Sequence, residues 1–487
     1  MNLNEQLEHI SQSLTGIVPE LFLAAFFLIF LIAELLLLRF GDKAHTNRRL
    51  FLITLAGAVL TLVLILGQWN SEPSFRFRPL LFLDSKAVFF KILIVLAWLF
   101  TWLHIRLLRY TFPPELSALL IAAVLGMFLL TMATHWLTVY LSLELLSISS
   151  YLLVAYSPSK KAAEGGLKYL LFGAISSAIM LYGISLIYGL TGTLDFTDPA
   201  MRLALATNSP FVLNMAMLMT LGGLLFKLSL VPFHVWTPDV YEAAPTPLVS
   251  FLSVAPKAAV LLVLMRVATS WPAELLPLLG GIALVSITVG NVTALWQQNA
   301  RRLLAYSSIA QAGYLIVGVV AFNQLGFEGA TFYTAAYLLL NMTAFLLVDL
   351  LQPRSETQLA TYAGLGKKHP WIAVILTVVM VALAGLPPTV GFTAKWLIFS
   401  ALWDSYQQAG QPWLLWLLVG GIINAAISLA YYLRLPYLLF FKSTSVTPST
   451  PIYLVWGRVV SGLLLGAILL LFFKPELLMQ WINNVSP

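Results

Sequence analysis

The chain has 487 residues, of which 60% are hydrophobic and only 10% are charged, with a mean hydropathy of +0.89. That composition is far from globular averages and makes the lipid bilayer the main solvent. Cysteine is absent and the six histidines show no close metal-ligand spacing, so disulfides, thiolate zinc sites, cysteine-ligated clusters and a bound metal are not expected in this chain. The net charge of +7 reads as basic loops on the cytoplasmic side rather than as a nucleic-acid surface.

At the amino end Glu5 and Glu8 occur without lysine or arginine, unlike a signal or transit peptide, so the first apolar run is expected to remain in the mature protein. A membrane-spanning helix needs ~20 apolar residues, because each advances ~1.5 Å through ~30 Å of hydrocarbon. Such runs occur near residues 17–40, 50–68, 84–107, 114–134, 136–156, 162–190 and 211–231. The second half adds 247–269, 273–297, 302–322, 327–352, 369–402, 413–435 and 453–473. The pattern predicts an all-α integral membrane protein of about fourteen transmembrane helices. Arg39, Lys43, Arg48, Arg49, Arg106, Arg109, Lys160, Lys161, Arg301, Arg302, Arg354, Lys367, Lys368, Arg434, Lys442 and Arg458 gather on one side of that arrangement, and only Arg76, Arg78, Arg202, Arg266 and Lys474 fall on the other. The bias supports the helix count and places both termini on the periplasmic side.

Six lysines, Lys86, Lys91, Lys168, Lys227, Lys257 and Lys395, fall inside the predicted spans. Lys86 and Lys91 lie within about two turns of a boundary and are expected to snorkel to it. Lys227, Lys257 and Lys395 are deeper, where each costs ~2.5–3.5 kcal/mol on insertion scales, and a charge kept there usually lines a polar pathway. Glu144, amid Ser142, Ser147, Ser149 and Ser150, is the acid placed near mid-membrane. Glu34 and Asp349 lie nearer the ends of their runs and are expected to be water-reaching interfacial carboxylates.

Two proline interruptions flank these lysines. Pro232 and Pro238 follow Lys227, and Pro387 and Pro388 precede Lys395. Proline removes an amide donor and exposes backbone polar groups, which at membrane depth need protein or water partners. Paired broken helices of this kind occur in transporters built from repeats. The competing reading takes each proline as a packing kink and each lysine as an internal hydrogen-bond donor. His234 suits either a proton relay or simple interfacial solvation, and Lys168 forms an intrahelical pair with Glu164 or serves the pathway. The stretch from Gly173 to Ala178 reads as close helix packing. No dinucleotide or Walker spacing is present, which argues against an ATP-driven pump.

The segments Lys168–Ser177, Phe226–Tyr241, Arg301–Ala310 and Leu383–Lys395 resemble the antiporter-like membrane subunits of respiratory complex I over nearly the whole chain. The resemblance implies two inverted five-helix repeats and two discontinuous helices. It divides the chain into residues 1–113 (three N-terminal transmembrane helices), 114–269 and 270–437 (the repeats) and 438–487 (a C-terminal helix). It also implies a proton pathway through Glu144, Lys227, Lys257 and Lys395, with Lys168 and His234 accessory. The tenth helix offers Ser307, Ser308 and Gln311 but no carboxylate to match Glu144. Lysine rather than glutamate at 395, and a chain that ends at its fourteenth helix without a lateral extension, point to the N-type subunits. NADH, FMN, iron–sulfur clusters and quinone would belong to partner subunits, with no cofactor in this chain. The expected setting is a bacterial plasma membrane, with further antiporter-like subunits as neighbours. A multisubunit cation/proton antiporter subunit and a purely structural membrane spacer are the rival readings.

Overall fold

A computed structural model describes residues 3–40, 43–206, 209–273, 276–352, 357–443 and 454–484; Arg354 of the basic set lies outside them. The chain is mostly helical, as lipid requires of a backbone that must satisfy its own hydrogen bonds. In order it forms α1 (Leu3–Gly16), α2 (Val18–Phe40), α3 (Lys43–Leu66), a hairpin of β1 (Ser74–Arg76) and β2 (Leu81–Leu83), then α4 (Ser85–Leu107), α5 (Glu115–Met132), α6 (Trp136–Ala155), α7 (Lys160–Thr191), α8 (Pro199–Ala206), α9 (Pro210–Thr220), α10 (Gly222–Leu228), α11 (Trp236–Ala243), α12 (Thr246–Leu252) and α13 (Ala255–Ser270). There follow α14 (Leu276–Leu295), α15 (Ala300–Val320), α16 (Gln324–Leu351), α17 (Leu365–Lys368), α18 (Pro370–Ala384), α19 (Val390–Ala409), α20 (Pro412–Phe441), α21 (Leu454–Phe473) and α22 (Glu476–Asn483).

Among the described residues, twelve helical segments are long and apolar enough to span a membrane. A thirteenth is counted if α9 and α10, which meet at a 48° bend, form one span. The predicted run 369–402 is divided between α18 and α19. α18 has only 15 residues, about 22 Å at 1.5 Å per residue, and α19 carries Lys395 and Asp404. The run 247–269 is likewise divided at Ser253 and Val254, with Pro256 in the first turn of α13, where its missing amide donor is harmless.

Two compact units are present. The first comprises Met1–Trp102, Thr111–Lys227 and Ala258–Ala273; in it α2 packs on α3 and α5, α5 on α6, α6 on α7 and α7 on α9. The β-hairpin, with Ser74 opposite Leu83, lies in this unit and has no alternating pattern long enough to be read from sequence. The second comprises Leu103–Tyr110, Leu228–Lys257 and Glu274–Pro487. There α15 and α16 are almost wholly buried, while α20 and α21 expose most of their apolar surface, as expected of core and lipid-facing helices respectively.

Candidate functional site

In the first unit Lys227 projects from α10 and is 2% exposed. Its ammonium donates to the Tyr169 hydroxyl at 3.2 Å and lies 4.9 Å from the Tyr169 ring centre and 5.3 Å from that of Tyr151. The two rings meet edge to face at 4.7 Å. Gly173 makes room for this cage, since a Cβ there would fall 1.8 Å from the Tyr151 hydroxyl. Aromatic faces hold a desolvated cation by their quadrupoles, and Glu144 supplies the carboxylate charge that acts on Lys227. Glu144 is half-buried on α6 and accepts from the Ser177 hydroxyl of α7. Ser149 and Ser150 instead donate to carbonyls one turn back in their own helix. Lys168 pairs with Glu164 at 2.9 Å on an open face of α7, with side chains 41% and 60% exposed.

After Lys227 the helix ends. Ser229 adopts φ 63°, a left-handed conformation uncommon outside glycine, and the chain turns through Pro232 and His234 into α11. His234 is half-buried, and its Nδ1 is buried without a hydrogen-bond partner.

In the second unit Lys257, 1% exposed, donates to the Ser308 carbonyl at 2.8 Å and to its hydroxyl at 2.6 Å. The Tyr337 hydroxyl donates to the same Ser308 oxygen at 2.8 Å. Lys395, 5% exposed, donates to the Ala384 carbonyl at 2.6 Å and sits 4.6 Å from the Tyr314 ring centre. Ala384 is the last residue of α18, so this carbonyl belongs to the partially negative end of a helix and welcomes a cation. Gly385 closes α18 at φ 89°, and a Cβ there would come within 2.6 Å of Lys395 Cδ.

Gln311 connects these surroundings. Its amide donates to the Leu383 carbonyl at 2.9 Å and to the Tyr432 hydroxyl at 3.0 Å, and its carbonyl accepts from Tyr333. A small cavity of about 10 Å³, barely the space one water molecule needs, is lined by Gln311, Tyr333, Tyr337, Leu383 and Ala394, among others. Ser308 and Gln311, which stand where a carboxylate is missing, thus hold the polar contacts of Lys257 and of the α18 end.

Other side chains depart from their sequence readings. Lys91 does not snorkel: it is fully buried and pairs with Glu20 at 2.6 Å. A lysine stem cannot reach water from inside a packed bundle, whereas an acid on the neighbouring α2 can reach the lysine. Asp349 is 2% exposed and Glu34 4%, so neither is a water-reaching carboxylate. Glu20 and His104 were missed by sequence reasoning; Glu20 stands near the start of an apolar run and His104 near the end of another, positions that usually mean solvent. Among the described residues no group of His, Asp and Glu is arranged to hold a metal ion.

Ammonium groups sealed in an apolar helical bundle, beside interrupted helices, define a multi-pass membrane protein that carries its charge inside. A family model described as NADH:quinone oxidoreductase/Mrp antiporter, TM matches residues 133–428, and the chain belongs to that family. NADH-quinone oxidoreductase subunit N of Chlorobium chlorochromatii (strain CaD3) is 37% identical over 94% of this chain and 92% of that protein. Its counterpart in Anaeromyxobacter sp. (strain Fw109-5) is 38% identical over 87% of each. Among solved structures, a chain of respiratory complex I from Thermus thermophilus with bound aureothin is 33% identical, with a TM-score of 0.78 over 94% of this chain and 98% of that one. A chain of the Mrp complex from Dietzia sp. DQ12-45-1b superposes over 97% of each chain with a TM-score of 0.80 at 18% identity, which speaks for the fold alone. The resemblance read from the lysine-bearing segments is borne out.

Proposed function

We propose that the chain is the N-type, non-redox subunit of a proton-pumping NADH–quinone oxidoreductase, moving protons through Glu144, Lys227, Lys257 and Lys395. The relatives named above are subunits of that enzyme at more than a third identity, while the Mrp neighbour shares only 18%. The observation that carries the reading is that two buried lysines of the second unit border one polar run. Lys257 is held by Ser308, whose hydroxyl oxygen also accepts from Tyr337, the cavity adjoins Tyr337 and Gln311, and Gln311 shares the end of α18 with Lys395. A packing role alone needs no such continuity.

In the proposed cycle a proton arriving from the cytoplasm rests on Lys227 while the Glu144 charge favours its ammonium form. Two unit charges ~4 Å apart at an effective dielectric of ~20 interact by ~4 kcal/mol, so a small movement of Glu144 switches the hold on that proton. The proton then passes to Lys257 and on to Lys395 for release outward. Moving one charge across the membrane stores ~2.3 kcal/mol per 100 mV, and quinone reduction in partner subunits supplies it. NADH, FMN, the iron–sulfur clusters and quinone are bound by those partners.

The same reading takes α18 and α19 as one discontinuous span, giving about fourteen in all. It places inverted repeats at 114–269 and 270–437 and both termini on the periplasmic side of a bacterial plasma membrane. Lys168 and His234 are accessory. The deciding measurement is the proton-to-electron ratio of the assembled complex in vesicles: Lys257→Ala is expected to depress it, and a normal ratio removes the pathway.

A further inference from the structure

The second unit holds another buried titratable cluster, which the lysine run does not use. Asp349 on α16 accepts from the Tyr110 hydroxyl at 2.7 Å and lies 3.0 Å from Nε2 of His104. His104 is fully buried, and its Nδ1 has no hydrogen-bond partner. Among the described residues, Arg301 at the start of α15 interacts electrostatically with Tyr110, and Tyr362 with Asp349. α21 meets α16 through Gly457 and Leu350, and its Arg458 acts on His369. Asp349 and His104 are sealed, but Tyr110 is half-buried and follows the exposed Arg106 and Arg109, so Tyr110 is the member of the cluster nearest the surface.

Two polar stripes join this cluster to Lys257. Thr246 and Ser250 stand four apart on one face of α12, Ser253 lies in the break that follows, and Lys257 stands in the first turn of α13. On α16 the corresponding face carries Asp349, Asn341 and Tyr337, and Phe345 between them packs edge-on against Tyr241. The stripes meet where Asn341 donates to Ser253 at 2.6 Å and again where Tyr337 and Lys257 share Ser308. Thr246 stands beside Tyr110 in no well-aligned hydrogen bond, and Thr246 Oγ1, Ser250 Oγ and Asn341 Oδ1 are all buried without partners. Buried polar atoms left unpaired are costly. A line of them between a carboxylate and an amine is the lining that a file of water molecules satisfies.

We propose that Asp349, with His104 and Tyr110, forms a proton-uptake site that loads Lys257 along these facing stripes. A proton taken up at the half-buried Tyr110 hydroxyl, which hands its own proton to Asp349, reaches the Asp349–His104 pair and travels along the hydroxyl line to the Lys257 amine once that lysine has passed its own proton forward. The step needs no other reactant. It rests on the proton-translocating reading above and adds a second point of entry to it.

The test uses the assembled complex in proteoliposomes, with proton uptake per NADH oxidised as the readout. Asp349→Asn keeps the shape of the side chain but cannot carry the proton. It is expected to lower uptake through this chain about a hundredfold, the small end of general acid–base contributions. The deficit should deepen as pH rises and protons become scarcer, and Asp349→Glu should restore uptake. Ser250→Val, which puts a methyl in the line, should cost about threefold, while Thr343→Val elsewhere on α16 should change nothing. Normal uptake in Asp349→Asn, with Lys257→Ala inactive in the same preparation, overturns the uptake site and leaves the translocation reading standing; normal uptake in both overturns both. Should Asp349→Asn fail to assemble, Tyr110→Phe and Ser250→Val carry the test, and undiminished uptake in both sinks the proposal.

Discussion

Lys227 and Lys395 have the same sequence signature, a lysine next to a proline-interrupted helix, yet they are held in opposite ways. Lys227 is enclosed by the Tyr151 and Tyr169 rings and acted on by Glu144. Lys395 is held by the backbone carbonyls that α18 leaves free at its end. The order of break and lysine along the chain explains the difference. Before Lys395 a helix has just stopped, so the negative end of its dipole faces the ammonium. The break near Lys227 comes after the residue, which stands in the last turn of its own helix, and the ammonium donates to a side chain, the Tyr169 hydroxyl, rather than to a helix-end carbonyl. A carboxylate can move or become protonated, whereas a backbone carbonyl can do neither. The first arrangement therefore suits a switch and the second a fixed station.

The largest expected effect tests the switch. Lys227→Ala or Glu144→Ala should abolish coupled pumping, a loss of about a hundredfold or more, read as dye-reported acidification in vesicles containing the assembled complex. Pumping that survives without Glu144 would erase the contrast. Lys395→Gln should block outward release while keeping the neutral hydrogen bonds to α18, and undisturbed release would require a different final residue.

A third buried lysine sharpens the contrast in terms of stability. Lys91 depends on one acid, so Glu20→Ala leaves a buried charge unpaired and should cost ~3–5 kcal/mol, visible as a lowered melting midpoint in detergent. Removing both charges with Glu20→Gln and Lys91→Met should recover most of that loss. Gly385→Ala forces a side chain into the left-handed region, at ~1–2 kcal/mol, and pushes on the Lys395 stem; melting and proton release should both suffer, and an unchanged protein would show that the α18 end does not position Lys395. The smallest effect belongs to Lys168→Ala: its pair with Glu164 is solvent-facing, so ~0.3–0.5 kcal/mol is expected in the same melting assay.

Much of the fold was legible because a membrane span leaves a long, one-dimensional mark. Runs of apolar residues fall within a few positions of helices such as Ser85–Leu107, Trp136–Ala155 and Leu276–Leu295. Proline spacing likewise marked the ends of α10 and α18. The bend between α9 and α10 was not marked in this way, since it falls at Leu221, beside Gly222 and Gly223 in an unbroken apolar run.

By itself the sequence determined that the chain is membrane-embedded and helical, and marked Lys227, Lys257 and Lys395 but not Lys91 as deep, because hydrophobicity and helix length are properties of consecutive residues. Only the tertiary structure decided what each charge meets: Glu20 on Lys91, Asp349 on His104 and Tyr110, the end of α18 on Lys395. Those partners stand from 11 to 245 residues apart in the chain. A buried ion has a stable place only where packing brings a counter-charge or a free carbonyl to it, and no local pattern records that meeting.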